Sequence, residues 1–123
     1  QVLFNIIINA VTAMEGREDK RIGITTDRIE GDSREVFLRI SIADNGHGIR
    51  DEYRHRLFDP FFTTRQSGKG TGLGLFISYG IVQDHGGRIW AENNESGGAS
   101  FFIQLPLDGK TKQIPHYDTD QGR

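Results

Sequence analysis

The sequence predicts an α+β two-layer sandwich, in which a mixed, mostly antiparallel sheet packs on about three helices. Two segments show the apolar periodicity of helices, and two pairs of short segments are typical of strands joined by turns. Most of the predicted strands follow one another directly, whereas a doubly wound parallel sheet requires strands and helices that alternate more strictly. A length of 123 residues fits one compact domain.

The first helix is predicted over residues 1–14. At 100° per residue, Gln1, Asn5, Asn9 and Thr12 fall within one narrow sector, and nearly all other residues of the segment are apolar. A helix this apolar is expected to be buried, although its polar stripe carries two amides. Because residue 1 already lies inside the periodic run, we expect the chain to be a piece of a longer protein.

Two strands are predicted over residues 22–30 and 35–43, with a turn at 31–33. Alternate residues of the second strand share one face, and these are Leu38, Ile40, Ile42 and Asp44. Asp44 therefore ends a row of residues that faces the core.

The later elements are predicted from glycine, proline and apolar patterns. In chain order they are a short helix over 51–57, a mobile loop over 58–72, a second helix over 73–85 and a hairpin with strands over 88–93 and 100–105. Residues 108–123 lack hydrophobic periodicity and predict a flexible tail. The folded domain is therefore expected to span residues 1–107.

Composition excludes several classes of function. The formal net charge of −2 argues against nucleic acid as the main partner. The absence of cysteine excludes disulfides and thiolate metal sites. No apolar run approaches the ~20 residues of a membrane-spanning helix. The sequence contains neither a Gly-x-Ser-x-Gly string nor a His-Glu-x-x-His string, so it lacks these hydrolase and metalloprotease signatures.

Asn5 and Asn9 are the first candidates for a functional role. They are four residues apart and project side by side from the first helix. Buried amides without partners cost roughly 1–3 kcal/mol each. The amide oxygen suits a Mg²⁺ ion that also binds phosphate oxygens and water. The alternative is that both amides form hydrogen bonds to a neighbouring helix.

Asp44 is the second candidate, at the end of a buried strand. Its carboxylate can accept the N6 hydrogen of adenine, a contact that the O6 atom of guanine cannot make. Glycine at positions 46 and 48 would let the backbone approach the base, since a Cβ there would intrude. The alternative is an ordinary turn at the end of a strand, for which Asp-Asn-Gly is well suited.

Gly68 to Gly74 is a glycine-rich segment that directly precedes a predicted helix. Backbone N–H groups at the start of that helix are expected to bind polyphosphate, with Arg65 and Lys69 adding positive charge. The spacing matches neither Gly-x-Gly-x-x-Gly nor a P-loop, so both of those nucleotide fingerprints are absent. The alternative is a flexible loop exposed to solvent.

Two further features allow either a functional or a structural interpretation. Phe58, Phe61 and Phe62 flank Asp-Pro at the start of the predicted loop, where they could form the latch of a lid or simply pack in the core. Ser100 follows the third glycine string and could support Asp44 near the base through its hydroxyl. It could equally be a strand residue that faces solvent.

Together these strings resemble the catalytic and ATP-binding domain of two-component sensor histidine kinases, in the wider GHKL superfamily (Bergerat fold) of gyrase, Hsp90 and MutL. Five motifs carry the resemblance in order: the N box at 5–10, the G1 box at 44–48, the F box at 58–62, the G2 box at 70–75 and the G3 box at 98–101. The likeness extends from residue 1 to about 107. Residues 61–65 and 90–94 are similar to the branch that senses nitrogen and oxygen.

The resemblance implies an ATP pocket between the helical layer and a lid formed by residues 58–72. It implies catalytic roles for Asn5 and Asn9, with Asn9 as the Mg²⁺ ligand, and a contact between Asp44 and adenine. The residues expected at the nucleotide are Asn9, Asp44, Gly46, Gly48, Ile49, Phe58, Arg65, Lys69, Gly70, Thr71, Gly72, Leu73, Gly74, Leu75 and Ser100.

The resemblance also implies a phosphotransfer reaction. In gyrase and Hsp90 the position of Asn5 is a glutamate that acts as general base toward water, and an amide cannot take that role. The expected acceptor is a histidine in a separate dimerisation domain of the same protein, with a response regulator downstream. We expect a monomeric fragment, a dimeric full-length kinase and a cytoplasmic location.

Two other functions remain open from the sequence. A hydrolytic clamp ATPase of the same superfamily would turn over ATP steadily, which Asn5 in place of glutamate argues against. A regulatory module would keep the fold and lose nucleotide binding, which the presence of every expected polar contact argues against.

Overall fold

A computed structural model describes residues 1–62 and 73–107 of the chain. The elements in order are α1 (Val2–Ala13), β1 (Ile22–Glu30), β2 (Val36–Asp44), a 3-10 helix (Asp51–Arg56), α2 (Gly74–Asp84), β3 (Arg88–Asn93) and β4 (Ala99–Pro106). Each lies within two residues of its predicted bounds. Most of the predicted lid and the predicted tail (108–123) lie outside the described residues. In the described part of the chain, no helix has the length and apolarity needed to cross a bilayer.

The four strands form one sheet in the order β1-β2-β4-β3, and all three pairings are antiparallel. The 3-10 helix and both α-helices complete the predicted set of three helices, which confirms the α+β sandwich. We predicted a mixed, mostly antiparallel sheet, and within the described residues every strand pair is antiparallel.

The hydrophobic core lies between the two α-helices and one face of the sheet. Its most buried members are Ile6, Ile42, Val82, Ile89, Phe101 and Ile103. The alternation predicted for β2 is confirmed, because Ile42 is 1% exposed and Asp44, two residues on, is 6% exposed. β2 thus carries a carboxylate at the end of an apolar row.

The prediction that α1 is buried is wrong for one face of the helix. Leu3, Phe4, Ile8 and Val11 are 39–66% exposed, whereas Ile6 and Ala10 are buried. A two-layer sandwich covers a helix from one side only, so the sheet and α2 bury one stripe of α1. Apolar composition alone does not reveal which stripe this is.

The other face of the sheet carries a stack of side chains from β2, β3 and β4. Trp90 stacks on Phe102 at a centroid distance of 5.2 Å. The guanidinium of Arg88 lies 4.7 Å from the Trp90 ring, and that of Arg39 lies 5.4 Å from it. Arg39 Nε and Nη2 both donate to Gln104 Oε1, at 3.1 and 2.9 Å. This stack covers part of that face with aromatic and guanidinium groups.

Candidate functional site

The site is organised along one face of α1. Asn5, Asn9 and Ala13 are spaced by four residues, so they follow one another along the helix at intervals of about 6 Å. Asn5 contacts the start of α2, and Ala13 contacts the turn that follows β2. Asn9 lies between these two contacts on the same face. α1 thereby links the start of α2 to the carboxylate of β2.

The side chain of Asn5 joins α1 to α2 through hydrogen bonds. Its Nδ2 donates to the Gly74 carbonyl and to Ser78 Oγ, both at 3.2 Å. Ser78 is fully buried and donates to the same Gly74 carbonyl at 2.8 Å. Asn5 therefore forms the hydrogen bonds to a neighbouring helix that were given above as the alternative. Its role toward phosphate stays a prediction. Asn9 is half-buried on the same face.

Substitution of Asn5 by alanine is expected to lower the free energy of unfolding by about 1–2 kcal/mol, because two bonds between α1 and α2 are lost. Urea unfolding followed by circular dichroism measures this. Gln1→Ala is the control, since Gln1 lies in the same sector, is exposed and makes no capping bond through its side chain. Equal stability of the two variants would contradict the structural role of Asn5.

Asp44 has one carboxylate oxygen engaged and one available. Its Oδ1 accepts hydrogen bonds from the backbone N–H groups of Gly46 at 2.9 Å and Ala99 at 3.2 Å. Within the described residues, Oδ2 accepts no hydrogen bond, and no buried polar side-chain atom lacks a partner. Oδ2 therefore reaches solvent. The carboxylate is held in a fixed orientation and presents one acceptor outward.

The turn formed by residues 44–49 (the 44–49 turn) packs against the end of α1. His47 N–H donates to the Ala13 carbonyl at 3.2 Å. A Cβ at Gly46 would lie 2.4 Å from that same carbonyl oxygen, which only a glycine avoids. The glycine that we predicted for close approach of a base is thus already required by α1.

Asn93 and Asn94, at the end of β3, are residues whose roles sequence reasoning missed. Asn93 Oδ1 accepts from Ile49 N–H at 2.7 Å, and Asn93 Nδ2 donates to the Ile49 carbonyl at 2.8 Å. Asn94 Nδ2 donates to the Asp44 carbonyl at 3.2 Å. The sequence signal was two adjacent asparagines directly after a strand, which is also typical of an ordinary turn.

Ser100 joins this network. It is 7% exposed, and its hydroxyl donates to Asn94 Oδ1. The alternative of a strand residue facing solvent is therefore wrong. Ser100 is thus connected to Asp44 by two successive hydrogen bonds, through the Asn94 amide to the Asp44 carbonyl.

Asn45 fixes the same turn on its other side. Its Oδ1 accepts from Arg21 N–H at 3.0 Å, and its Nδ2 donates to the Asp19 carbonyl at 2.7 Å. The side chains of Arg21 and Asp19 pair at 2.7 Å, and this hydrogen bond and charge lower the pKa of the Asp19 carboxyl. Both groups are exposed, so solvent screens the pair and its contribution to stability is small.

The three phenylalanines at the start of the predicted lid lie in different surroundings. The Phe58 ring lies 5.6 Å from Tyr79 and 6.5 Å from Phe101, so Phe58 packs against the core, the structural alternative. Phe61 is 71% exposed and has a positive φ of 67°. Phe62 contacts Tyr53 at 5.3 Å.

The start of α2 supplies the described part of the predicted phosphate site. Leu73 precedes the helix without a capping bond from its side chain, Gly74 opens it, and Leu75 packs against the core. First-turn N–H groups of a helix have no intrahelical partner and carry partial positive charge. The remaining predicted phosphate ligands, namely Arg65, Lys69, Gly70, Thr71 and Gly72, lie outside the described residues.

A carboxylate or imidazole metal site is absent from residues 1–62 and 73–107, which contain no group of three or more His, Asp or Glu that could hold an ion. A neutral amide oxygen such as that of Asn9 is a suitable single ligand for Mg²⁺, an ion that keeps several waters and takes phosphate oxygens. The role of Asn9 as a Mg²⁺ ligand stays a prediction.

Comparison with known proteins agrees with this geometry. Residues 1–109 match the family described as histidine kinase-, DNA gyrase B- and HSP90-like ATPase. Sensor protein FixL of Bradyrhizobium diazoefficiens is 42% identical over 106 residues, which cover 86% of this chain and 20% of FixL. The signal transduction histidine-protein kinase AtoS of Escherichia coli is 43% identical over 92% of this chain and 17% of AtoS. The chain thus spans about a fifth of the length of these relatives.

Solved structures show the same likeness. The nucleotide-free catalytic domain of the histidine kinase ThkA has a TM-score of 0.70 and 40% identity, over 86% of this chain and 65% of that one. The full-length structure of ShkA in complex with AMPPNP has a TM-score of 0.64 and 30% identity, over 85% of this chain and 20% of that one. The predicted resemblance is confirmed: the chain belongs to the histidine kinase-, DNA gyrase B- and HSP90-like ATPase family, and its relatives are sensor histidine kinases.

Proposed function

We propose that the chain binds Mg-ATP and supplies the γ-phosphate to a histidine in a separate dimerisation domain of the same protein. One observation carries this proposal: a single face of α1 contacts both the 44–49 turn and the start of α2. An elongated ligand lying along that face would have a carboxylate acceptor at one end and the positive end of the α2 helix dipole at the other.

The adenine end is assigned to Asp44. With Oδ1 fixed by two backbone donors, Oδ2 is the acceptor for the N6 amino group of adenine. Guanine presents the O6 oxygen at that position, so two acceptors would face each other. Gly48 and Ile49 line the same turn, and Ser100 supports it through Asn94. The AMPPNP complex of ShkA supports an adenine nucleotide as the ligand.

The phosphate end is assigned to Asn9 and to the start of α2. The Asn9 oxygen would hold Mg²⁺, and the first-turn N–H groups of α2, together with Arg65 and Lys69, would contact the phosphates. When bound, Mg²⁺ supplies positive charge that neutralises the phosphate oxygens.

Phosphotransfer is favoured over hydrolysis because Asn5 occupies the place of the glutamate base. Its amide donates to the Gly74 carbonyl and cannot accept a proton from water at neutral pH. None of the four histidines of the chain is followed by an acidic residue, as kinase acceptor histidines usually are. The acceptor therefore belongs to the dimerisation domain, with a response regulator as the next partner and a homodimer as the working form.

Titration calorimetry on the full 123-residue chain tests this function. Mg-ATP is expected to bind, and GTP is expected to bind at least about tenfold more weakly than ATP. No steady release of phosphate is expected to follow. Absence of ATP binding would overturn the proposal in favour of a regulatory module. Sustained turnover that Asn9→Asp abolishes would support the hydrolytic alternative instead.

A further inference from the structure

The 44–49 turn is secured by side chains from the end of β3. Asp44 is its first residue and the last of β2, and Ile49 is its last residue. Asn94 holds the carbonyl of Asp44, and Asn93 holds both backbone groups of Ile49. Two adjacent asparagines thus form hydrogen bonds to the backbone at both ends of the segment that carries the Asp44 carboxylate.

We propose that Asn93 is a positioning residue, which sets the conformation of the 44–49 turn before nucleotide binds and so sets the preference for adenine. This inference rests on the proposed function. Asn93 makes no assumed contact with the base and acts through the backbone of Ile49. Without it, part of the ordering of the turn would have to occur on binding, at the expense of affinity.

The reciprocal bonds explain why an asparagine is suited to this position. A primary amide offers one acceptor and one donor side by side, which matches the N–H and carbonyl of a single residue. The Asn93 side chain is exposed, so its contribution comes from these two bonds rather than from burial. Asn93 Oδ1 also lies 2.9 Å from the place of a Cβ on Gly48, whose φ is +82°, so a side chain at Gly48 would collide with the amide.

The test compares ADP and GDP binding to the wild-type chain, Asn93→Ala and the control Glu95→Ala, an exposed residue of the same hairpin. Calorimetric competition measures both affinities, and circular dichroism at the same temperature measures folding. Asn93→Ala is expected to weaken ADP about fivefold and GDP less, so that the ratio of the two affinities falls. Glu95→Ala is expected to leave both unchanged.

A second variant probes the donor half of the pair. In Asn93→Asp the ionised carboxyl still accepts from Ile49 N–H but faces the Ile49 carbonyl without a proton to donate. Its ADP affinity is expected to fall at least as far as that of Asn93→Ala, because the ionised carboxyl and the Ile49 carbonyl oxygen repel each other.

Three results would overturn the inference. They are an unchanged ratio of ADP to GDP affinity in Asn93→Ala, an unfolded Asn93→Ala, which would make Asn93 a determinant of the whole fold, and an Asn93→Asp variant that binds ADP as tightly as wild type. A wild-type chain that binds neither nucleotide would instead overturn the proposed function.

Discussion

Substitution of Gly98 by alanine is expected to destabilise the chain by about 3–4 kcal/mol. A Cβ at Gly98 would lie 2.0 Å from the Asp44 carbonyl oxygen and 2.8 Å from the carbonyl carbon. Both are backbone atoms, so no change of rotamer relieves the contact. The φ of +82° adds strain for any side chain. The β3–β4 hairpin must move away from the 44–49 turn, and the bond from Asn94 to Asp44 is expected to break with it.

Gly97→Ala is the matched control for this prediction. Gly97 has a φ of +106°, but a Cβ there meets nothing within 4 Å. Only the backbone strain remains, and a loss of about 1–2 kcal/mol is expected. Urea unfolding followed by the fluorescence of Trp90, the single tryptophan, measures both variants. Similar losses in the free energy of unfolding at the two positions would show that Gly98 is not in close contact with the Asp44 backbone.

The elements of the fold could be predicted from the sequence because each depends on a local period. Apolar residues alternate along β2, and Ile42 and Asp44 were placed on the core face by that alternation alone. Turn glycines marked the β3–β4 hairpin in the same way. The burial of α1 could not be predicted, since it depends on how many layers cover the helix.

The candidate site was predictable in its residue types and less so in its contacts. Asp44 was identified because it ends a core-facing row, and its partner Ala99 is 55 residues away. Asn93 binds a residue that is 44 positions away in the sequence, and Asn94 binds one that is 50 positions away. No local pattern encodes such pairs. Gly46 shows the same limit, because the atom that requires a glycine there belongs to Ala13.

The network around Asp44 also explains why a buried carboxylate is tolerated beside the core. Two backbone N–H groups satisfy Oδ1, and burial of a charge is acceptable when hydrogen bonds compensate it. The remaining oxygen makes no hydrogen bond to the described residues. Under the proposed function, the second oxygen is the one that would contact the base.

Replacement of Asp44 by asparagine is expected to weaken ATP binding by roughly 1–3 kcal/mol, which corresponds to about 5- to 150-fold in Kd. The amide oxygen can still accept from Gly46 and Ala99, so the turn is expected to keep its shape. The Nδ2 group then replaces Oδ2 and faces the N6 amino group, donor against donor. Calorimetry with Mg-ATP and Mg-GTP measures the change.

The response to GTP separates a change at the base from a general loss of charge. The new amide can donate to O6 of guanine, so GTP binding is expected to hold or improve while ATP binding falls. Asp51→Asn is the matched control, since it removes the same charge from a carboxylate that is 93% exposed. An Asp44→Asn variant that loses ATP and GTP affinity equally, or behaves like Asp51→Asn, would remove Asp44 from the base contact and leave the adenine end without its acceptor.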